Sequence, residues 1–457
     1  MINKSKNIYF LGIGGIGMSA LARWFNANGY NVGGYDKTSS PLTEALVAEG
    51  IDIHYDDQVG RIPTHFYKKE ETLVVYTPAI PHNNIELIHF RAEEFTMMKR
   101  AQVLGLLTEG MTTVAIAGTH GKTTTSSMTA HILKHSGLEI SAFLGGITAN
   151  YNSNLLIGAK DGIAVVEADE YDRSFLTLYP SIAVVTSTDA DHLDIYGNHH
   201  SLMDSFNQFV GQIKKGGKLV YKKGLALTFP DQVSKVNYGI GEGEIFAMNV
   251  RPGDACFTFD YVSSHLIIRD ITLNMPGFHN VENALAAMTV AKHLRVPVDK
   301  IKAGVESFKG VKRRFEFIYK SEKTVYIDDY AHHPTEIEAC LLSVKALYPN
   351  KKITAIFQPH LFSRTRDFAA GFAQSLSLAD QLFLLDIYPA RELPIPGVSA
   401  EMLLNNITCA DAQLCTKENL MDLVQNNEFE VLVTIGAGDI DRFVPQIKEV
   451  LSAQVHG

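Results

Sequence analysis

Apolar runs of strand length alternate along this chain with stretches whose apolar positions return every three to four residues. IYFLG at 8–12 is followed by ALARWFNANG at 20–29, TVAIA at 113–117 by SSMTAHILKHSG at 126–137, and TAIFQP at 354–359 by FAAGFAQSLS at 368–377. Solid apolar runs bounded by turn residues predict buried strands, and the longer period predicts helices. Their regular succession predicts α/β layers with mainly parallel sheets. Between about 217 and 278 the pattern shortens to CFTFDYV and HLIIRDITL, which predicts an antiparallel patch, followed by a helix over 281–294. Composition breaks near Glu109-Gly110-Met111 and Lys309-Gly310-Val311-Lys312 divide the chain into 1–109, 110–311 and 312–457. Three domains are also what 457 residues suggest at about 150 residues each.

A 46% apolar, 20% charged composition provides each domain with a core, and 41 Lys+Arg against 50 Asp+Glu leave a formal charge of -9. That balance removes any general electrostatic affinity for nucleic acid or an anionic membrane. The uncharged run 140–159 is interrupted by Gly145, Gly146, Asn150, Asn152 and Asn154, so it does not make the roughly 18 to 20 consecutive apolar residues of a membrane span. Two lysines precede the first apolar run, yet Gly12, Gly14, Gly15 and Gly17 do not suit the helical core of a secretion signal, and the chain reads as cytoplasmic. The cysteines at 256, 340, 409 and 415 form no CxxC and read as ordinary buried thiols.

Two glycine-rich turns carry the first chemistry. Gly12-Ile13-Gly14-Gly15-Ile16-Gly17 satisfies GxGxxG between a predicted strand and helix, with Asp36 at the end of the next strand. Such a turn lets backbone amides approach a diphosphate at a helix N-terminus while the acid accepts from a ribose hydroxyl, so the ligand is a nucleotide diphosphate, NAD by default. Gly118-Thr119-His120-Gly121-Lys122-Thr123 ends TVAIA and opens the Ser/Thr-rich helix start that contains Thr124. It supplies a lysine for β- and γ-phosphates and a hydroxyl for Mg2+, although Ile116 stands where a strict P-loop has its first glycine. ATP is the expected ligand. Two phosphate turns in separate domains point to an ATP-driven reaction on a second, nucleotide-bearing substrate.

Polar groups gather where the other strands end. GIAVVEADEYD leaves its apolar run at Glu167, IAVVTSTDADHLD at Asp189 to His192, and TVYIDDYAHHP at Asp328 to His333. Thr123, Glu167 and His192 together offer Mg2+ hard oxygen donors and one imidazole. Asp169, Glu170 and Asp172 read as caps of the next helix, and His199 and His200 as solvated.

In order across nearly the whole chain, GIGGIGMSALA, AGTHGKTTT, VVEADEYDRSF, DADHLDIYG, FHNVENALAA, KRRFE, DDYAHHPTE and FQPHLFSRTRDF resemble the motifs of the Mur ligases, the ATP-dependent amide-forming enzymes of peptidoglycan precursor synthesis. The resemblance implies an N-terminal Rossmann-like domain for the UDP group, a central P-loop ATPase domain and a C-terminal Rossmann-like domain for the amino acid; it replaces NAD by a UDP-sugar. It places Gly14, Gly15, Gly17, Asp36, Thr77, Ala79 and Ile80 at the UDP moiety. Gly118 to Thr124, with Lys122 as phosphate ligand, face ATP; Thr123, Glu167 and His192 face magnesium; Asn280 and Asn283 are nucleotide or structural contacts. Arg314 and Asp329 close over ATP, and Tyr330, His332, His360 and Arg364 receive the amino acid, with His332 positioning or deprotonating its amine.

GIGGIGMS is similar to the branch that joins L-alanine to UDP-N-acetylmuramate, as is the absence of lysine between Leu193 and Ile213, where sister branches carry a carbamylated one. EADEYD stands somewhat nearer the branch that recycles a murein tripeptide. Some members have arginine directly after QPH; here Leu361 occupies that place, so one carboxylate contact is either missing or supplied by Arg366. No nucleic acid or membrane partner is expected, and the chain is expected to be a monomer or weak homodimer. Two other classes compete. A nucleotide-sugar oxidoreductase leaves GTHGKT unexplained, and a nucleotide-sensing module gives no reason for Glu167, His192 and Asp329 to stand at strand ends.

Overall fold

A computed structural model describes residues 5–159, 161–191, 193–390, 392–409 and 411–454. They form two compact units, one of residues 1–245 with 285–304 and the other of 246–284 with 305–457. None of the described helices is long and apolar enough to cross a membrane.

The first unit begins with β1 (Asn7–Leu11), β2 (Asn31–Tyr35), β3 (Asp52–His54), β4 (Thr72–Tyr76) and β5 (Thr96–Lys99). They are all parallel, in the order β3-β2-β1-β4-β5. β1 is the centre, fully buried along its length, as expected of a strand covered on both faces. The same unit continues with β6 (Thr112–Ala117), β7 (Ile140–Thr148), β8 (Ser153–Leu156), β9 (Ile163–Glu167), β10 (Ile182–Val185), β11 (Lys218–Lys222) and β12 (Ser234–Ile240). Their order is β12-β11-β10-β6-β9-β7-β8, parallel except for β8 at the edge.

The second unit takes in β13 (Ile245–Pro252) from Phe246 onward, β14 (Phe257–Ser263) and β15 (Leu266–Leu273). It then adds β16 (Glu316–Lys320), β17 (Val325–Asp329), β18 (Ile353–Phe357), β19 (Gln381–Leu385), β20 (Asp411–Cys415) and β21 (Val431–Ile435). These last six are ordered β16-β17-β21-β18-β19-β20, with only β16 antiparallel.

The antiparallel patch expected over 217–278 holds only in part. β14 and β15 pair antiparallel, with a register break between Phe259 and Tyr261, but β11 and β12 extend the parallel sheet. The connection over 223–233 is long enough to carry the chain back to the starting edge, which a tight hairpin cannot do.

Helix Ile16–Ala27, launched by the first glycine turn, joins the two sheets of the first unit. Asn154 of β8, fully buried, donates to the Ile16 carbonyl at 2.6 Å and the Ser19 hydroxyl at 2.9 Å, and accepts from Arg23 at 2.5 Å. Arg23 in turn grips Glu49. A second joint is made by Gly105 in helix Arg100–Thr108, where a Cβ would come within 2.5 Å of the Thr177 carbonyl. Segment Tyr171–Thr177 is itself anchored by Phe175, stacked on Phe209 at 5.0 Å and edge-on to Phe206 at 5.3 Å. Burying each such ring stabilises the joint by about 1.5–3 kcal/mol.

On the other face of the first sheet, Tyr9 donates to the fully buried Glu86 at 2.7 Å and also bonds the His54 ring at 2.8 Å. Burial pushes the Glu86 carboxyl up to about 7, against the stabilising Tyr9 hydrogen bond and with the Asp57 charge adding to the rise.

Two stability predictions follow from these contacts. Gly105→Ala should destabilise the first unit by about 1–3 kcal/mol through overpacking, despite alanine's better helix propensity. Gly211→Ala, where a Cβ meets nothing within 4 Å, should be neutral or stabilising by up to about 1 kcal/mol; urea titrations that rank the pair the other way refute the assignment of this joint. A carboxyl whose folded pKa lies above its unfolded value is most favourable below the unfolded value and becomes costly as pH rises towards the folded one. The stability of Glu86→Gln relative to the parent should therefore rise by about 1–3 kcal/mol between pH 5 and pH 8. A constant difference across that range would show that Glu86 does not titrate as described.

Candidate active site

Strand β6 delivers the second glycine turn. Gly118 has φ +137 and a Cβ there would collide with the Thr186 hydroxyl, so no other residue fits. Gly121, at φ +81, then starts helix Lys122–His135. Thr119 shares a 2.9 Å hydrogen bond with Ser187 and accepts from the Asp189 amide at 3.1 Å. The His120 amide donates to Ser187 at 2.7 Å, its carbonyl accepts from Thr186, and its Nε2 lies 3.3 Å from Asp189. The side chains of Thr119 and His120, expected at the phosphates, therefore brace the loop against the end of β10. By helix geometry, the amides opening the helix, Lys122 to Thr124, are the ones aimed at an anion. Thr186 and Ser187 were not singled out from sequence.

Lys122 is folded back into this loop. Its ammonium donates to the Gly118 carbonyl at 2.7 Å and to Glu170 at 2.7–2.8 Å. Burial alone would depress its pKa, but the Glu170, Asp169 and Glu167 carboxylates outweigh this and hold the ammonium above its ordinary range. The helix-capping role expected for the three acids of EADEYD needs correcting. Asp169 does accept from the Tyr171 amide at 3.1 Å, a local turn contact, and lies 3.5 Å from Arg100. Asp172 pairs with Lys99 at 2.7 Å, and Glu170 binds Lys122. The chain bends through Asp172 and Arg173, both at positive φ, which turns the acids in different directions. Of the two histidines read as solvated, His200 is exposed beside Asp204, but His199 bonds the Thr188 carbonyl at 2.8 Å.

Glu167 closes β9 beside β6, in register with Ile116, and accepts from the Gly145 amide at 3.0 Å; a Cβ on Gly145 would occupy the carboxylate's place. Thr123 is buried at the second position of the loop helix. A hydroxyl and a carboxylate at adjacent strand ends suit a hard divalent cation such as Mg2+. His192, the third expected ligand, lies outside the described residues.

At the N-terminal turn, Gly12 has φ +84 and its position is closed by Thr77 and Ile80, at 3.1 and 3.2 Å from a built Cβ, so turn and loop 77–80 are brought together. Ala79 lies on that loop, its amide facing the Thr77 hydroxyl at 3.5 Å. Asp36, expected to meet a ribose, has one carboxylate oxygen accepting from the Gly14 amide at 2.7 Å, which pins the turn. Gly15 caps helix Ile16–Ala27, and Gly17 lies under the Arg100 guanidinium, 2.8 Å from a built Cβ. Arg100 and Lys99, unnoticed in the sequence, thus stand between the glycine turn and the Asp169–Asp172 segment.

In the second unit, β17 and β18 present the remaining groups. Asp329 receives the amides of Phe315 and Ala331 at 2.8 and 2.7 Å, and burial raises it to about 6 against the pull of Arg314. Arg313 reaches Asp328, Asp441 and the Gly436 carbonyl, at 3.3, 3.3 and 2.7 Å. Arg314 lies over the Tyr330 ring at 4.9 Å. His332 Nδ1 is 3.1 Å from the Tyr330 carbonyl and 3.2 Å from Glu336. A carbonyl can only accept, so Nδ1 carries the hydrogen and the neutral ring has its lone pair on Nε2. His333 caps helix Pro334–Leu347. The His360 ring lies 6.1 Å from His332 and stacks on Tyr388 at 5.8 Å. Tyr388 and Lys417, which pairs with Asp439, were missed. Arg364 is buried, whereas Arg366, the candidate substitute, is exposed and paired with Asp367 at 2.7 Å. Leu361 is also buried, with φ +69. Asn280 bonds the Pro276 carbonyl and Asn283 bonds Asn280, fastening the start of helix Phe278–His293.

Comparison with known proteins matches the Mur ligase catalytic domain at residues 7–111, the Mur ligase middle domain at 116–291 and the glutamate ligase domain of Mur ligases at 313–438. The chain is 52% identical to the UDP-N-acetylmuramate–L-alanine ligase of Cytophaga hutchinsonii, over 99% of its own length and 98% of that protein's. The structure is similar to that of the UDP-N-acetylmuramate-alanine ligase MurC from Thermotoga maritima, with TM-score 0.82 and 28% identity over 98% of this chain and 99% of that one. It also shares its fold with a murein peptide ligase from Psychrobacter arcticus, at TM-score 0.70 and 22% identity over 98% and 99%. The chain, matched from end to end in sequence and in fold, belongs to the Mur ligase family.

Proposed function

We propose that the chain is an ATP-dependent ligase that joins L-alanine to the lactyl carboxylate of UDP-N-acetylmuramate, a step of peptidoglycan precursor synthesis serving cell-wall biogenesis, cell shape and division. The observation that carries this reading is full-length identity of 52% to a relative of that name, on a chain whose two phosphate-binding turns lie in one compact unit. The recycling branch has support from fold alone, at 22% identity. As a cytoplasmic enzyme it would act as a monomer or weak homodimer.

The terminal phosphoryl group of ATP passes to the lactyl carboxylate, giving an acyl phosphate and ADP; the amine of alanine attacks, and phosphate leaves as the amide forms. Lys122 and the amides of the loop helix bind the transferring phosphate and offset its charge. Thr123 and Glu167, with His192 as the third ligand that the resemblance implies, would hold a magnesium ion, which would add neutralisation of phosphate charge. Gly14, Gly15, Gly17 and the 77–80 loop hold the UDP group, with Asp36 setting the shape of the turn. Arg314, stacked on Tyr330, offers a cation for an anionic group, and Asp329 fixes the Arg313–Phe315 turn. Arg364 pairs with the alanine carboxylate in the bidentate geometry that guanidinium favours. His332 presents Nε2 to the amine and takes its proton, since an ammonium has no lone pair for the attack. Tyr330 and His360 line the same place.

Phosphate release with UDP-N-acetylmuramate and ATP should depend on L-alanine within a panel of L-amino acids and should not respond to the murein tripeptide; a tripeptide response would transfer the chain to the recycling branch. In the same assay Lys122→Ala should lower turnover roughly 100-fold or more, and substantial residual activity would remove the loop from the reaction. Arg364→Lys should raise KM for alanine about tenfold while leaving KM for ATP unchanged. A KM for alanine equal to the parent's would place its carboxylate elsewhere.

A further inference from the structure

Glu170 is fully buried at the turn after β9, and its carboxylate meets the Lys122 ammonium at 2.7–2.8 Å. Its place is fixed from several sides. The Tyr196 hydroxyl donates to its carbonyl at 2.6 Å and the Arg173 amide at 2.9 Å. Its neighbours Asp169 and Asp172 are tied to Arg100 and Lys99. An ammonium has three N–H donors. On Lys122 one goes to the Gly118 carbonyl and one to Glu170, and no third partner occurs among the described residues. Two directions fixed on a tetrahedral nitrogen fix the third.

We infer that Glu170 is a positioning residue for phosphoryl transfer: it remains bound to Lys122 through the reaction and aims the lysine's third N–H at the transferring phosphate. A buried carboxylate deprived of its cation is costly, so the lysine cannot leave Glu170 to follow the nucleotide; it bridges the two. Glu170 therefore lowers ground-state affinity, as a second anion sharing the same cation, and raises turnover by holding the geometry that the transition state needs. The inference rests on the reading of this loop as the ATP site.

The test compares ADP affinity, by equilibrium titration, with kcat for ATP-dependent phosphate release. Glu170→Gln keeps the volume and removes the charge; it should tighten ADP binding two- to tenfold while lowering kcat at least tenfold. In a Lys122→Ala background the same change should again tighten ADP binding, because the unpaired carboxylate then faces the phosphates alone. Glu170→Asp keeps the charge but draws the ammonium back by a methylene; it should leave ADP affinity within twofold of the parent and still lower kcat at least tenfold, and it supplies the test if the glutamine variant does not fold. Weakened ADP binding in step with kcat would make Glu170 merely structural and overturn the inference, as would unchanged kcat in either variant. Failure of the parent chain to bind ADP would overturn the loop assignment itself.

Discussion

A half-buried lysine and a fully buried glutamate, 2.7 Å apart at the mouth of one parallel sheet, are the constraint around which the first unit is arranged. The carboxylate is not tolerable alone at that depth, so the ends of β6 and β9 must be kept together. The surrounding structure does this twice over: Thr186 and Ser187 hold the lysine's loop, and Tyr196, Arg100 and Lys99 hold the glutamate's segment. A chain of net charge -9 thus keeps these cations beside its own carboxylates. An anion arriving at this turn would meet positive charge that is already oriented, which is the preorganisation that transition-state charge requires.

The alternation of apolar strands and amphipathic helices made the α/β architecture legible, because both periods are local. The Gly-Lys-Thr turn was legible too, because its strand-to-helix junction is set by a short contiguous arrangement. The braces of that loop were not legible: Thr186 and Ser187 lie far along the chain and become its neighbours only because β10 inserts next to β6. EADEYD shows why composition at a strand end is insufficient. Four acids in six residues look equivalent, yet one meets lysine, one arginine and a backbone amide, one the Gly145 amide, and Asp172, at positive φ, a second lysine. Asp36 was placed correctly at its strand end, but the shorter reach to the Gly14 amide claims one of its oxygens.

The same limit governs the second unit. Arg314, Asp329, Tyr330, His332 and His360 follow from motifs, whereas Tyr388 and Lys417 do not, since they reach His360 and Asp439 from the loop after β19 and the helix start after β20. Parallel pairing of β11 with β12 was hidden for a related reason: short alternating runs have no direction, and the connecting length decides.

The stretch from Val311 to Phe315, which in sequence looks like a linker rich in charge, is closed on itself and on β17. Val311 bridges Arg314, Tyr330 donates its amide to the Arg313 carbonyl, and one Asp329 carboxylate holds both Phe315 and Ala331. Arg313 and Arg314 are consequently cargo of the C-terminal sheet. The two guanidiniums are fixed teeth on that sheet, their angle set by β17 and by the groups that Arg313 and Arg314 touch.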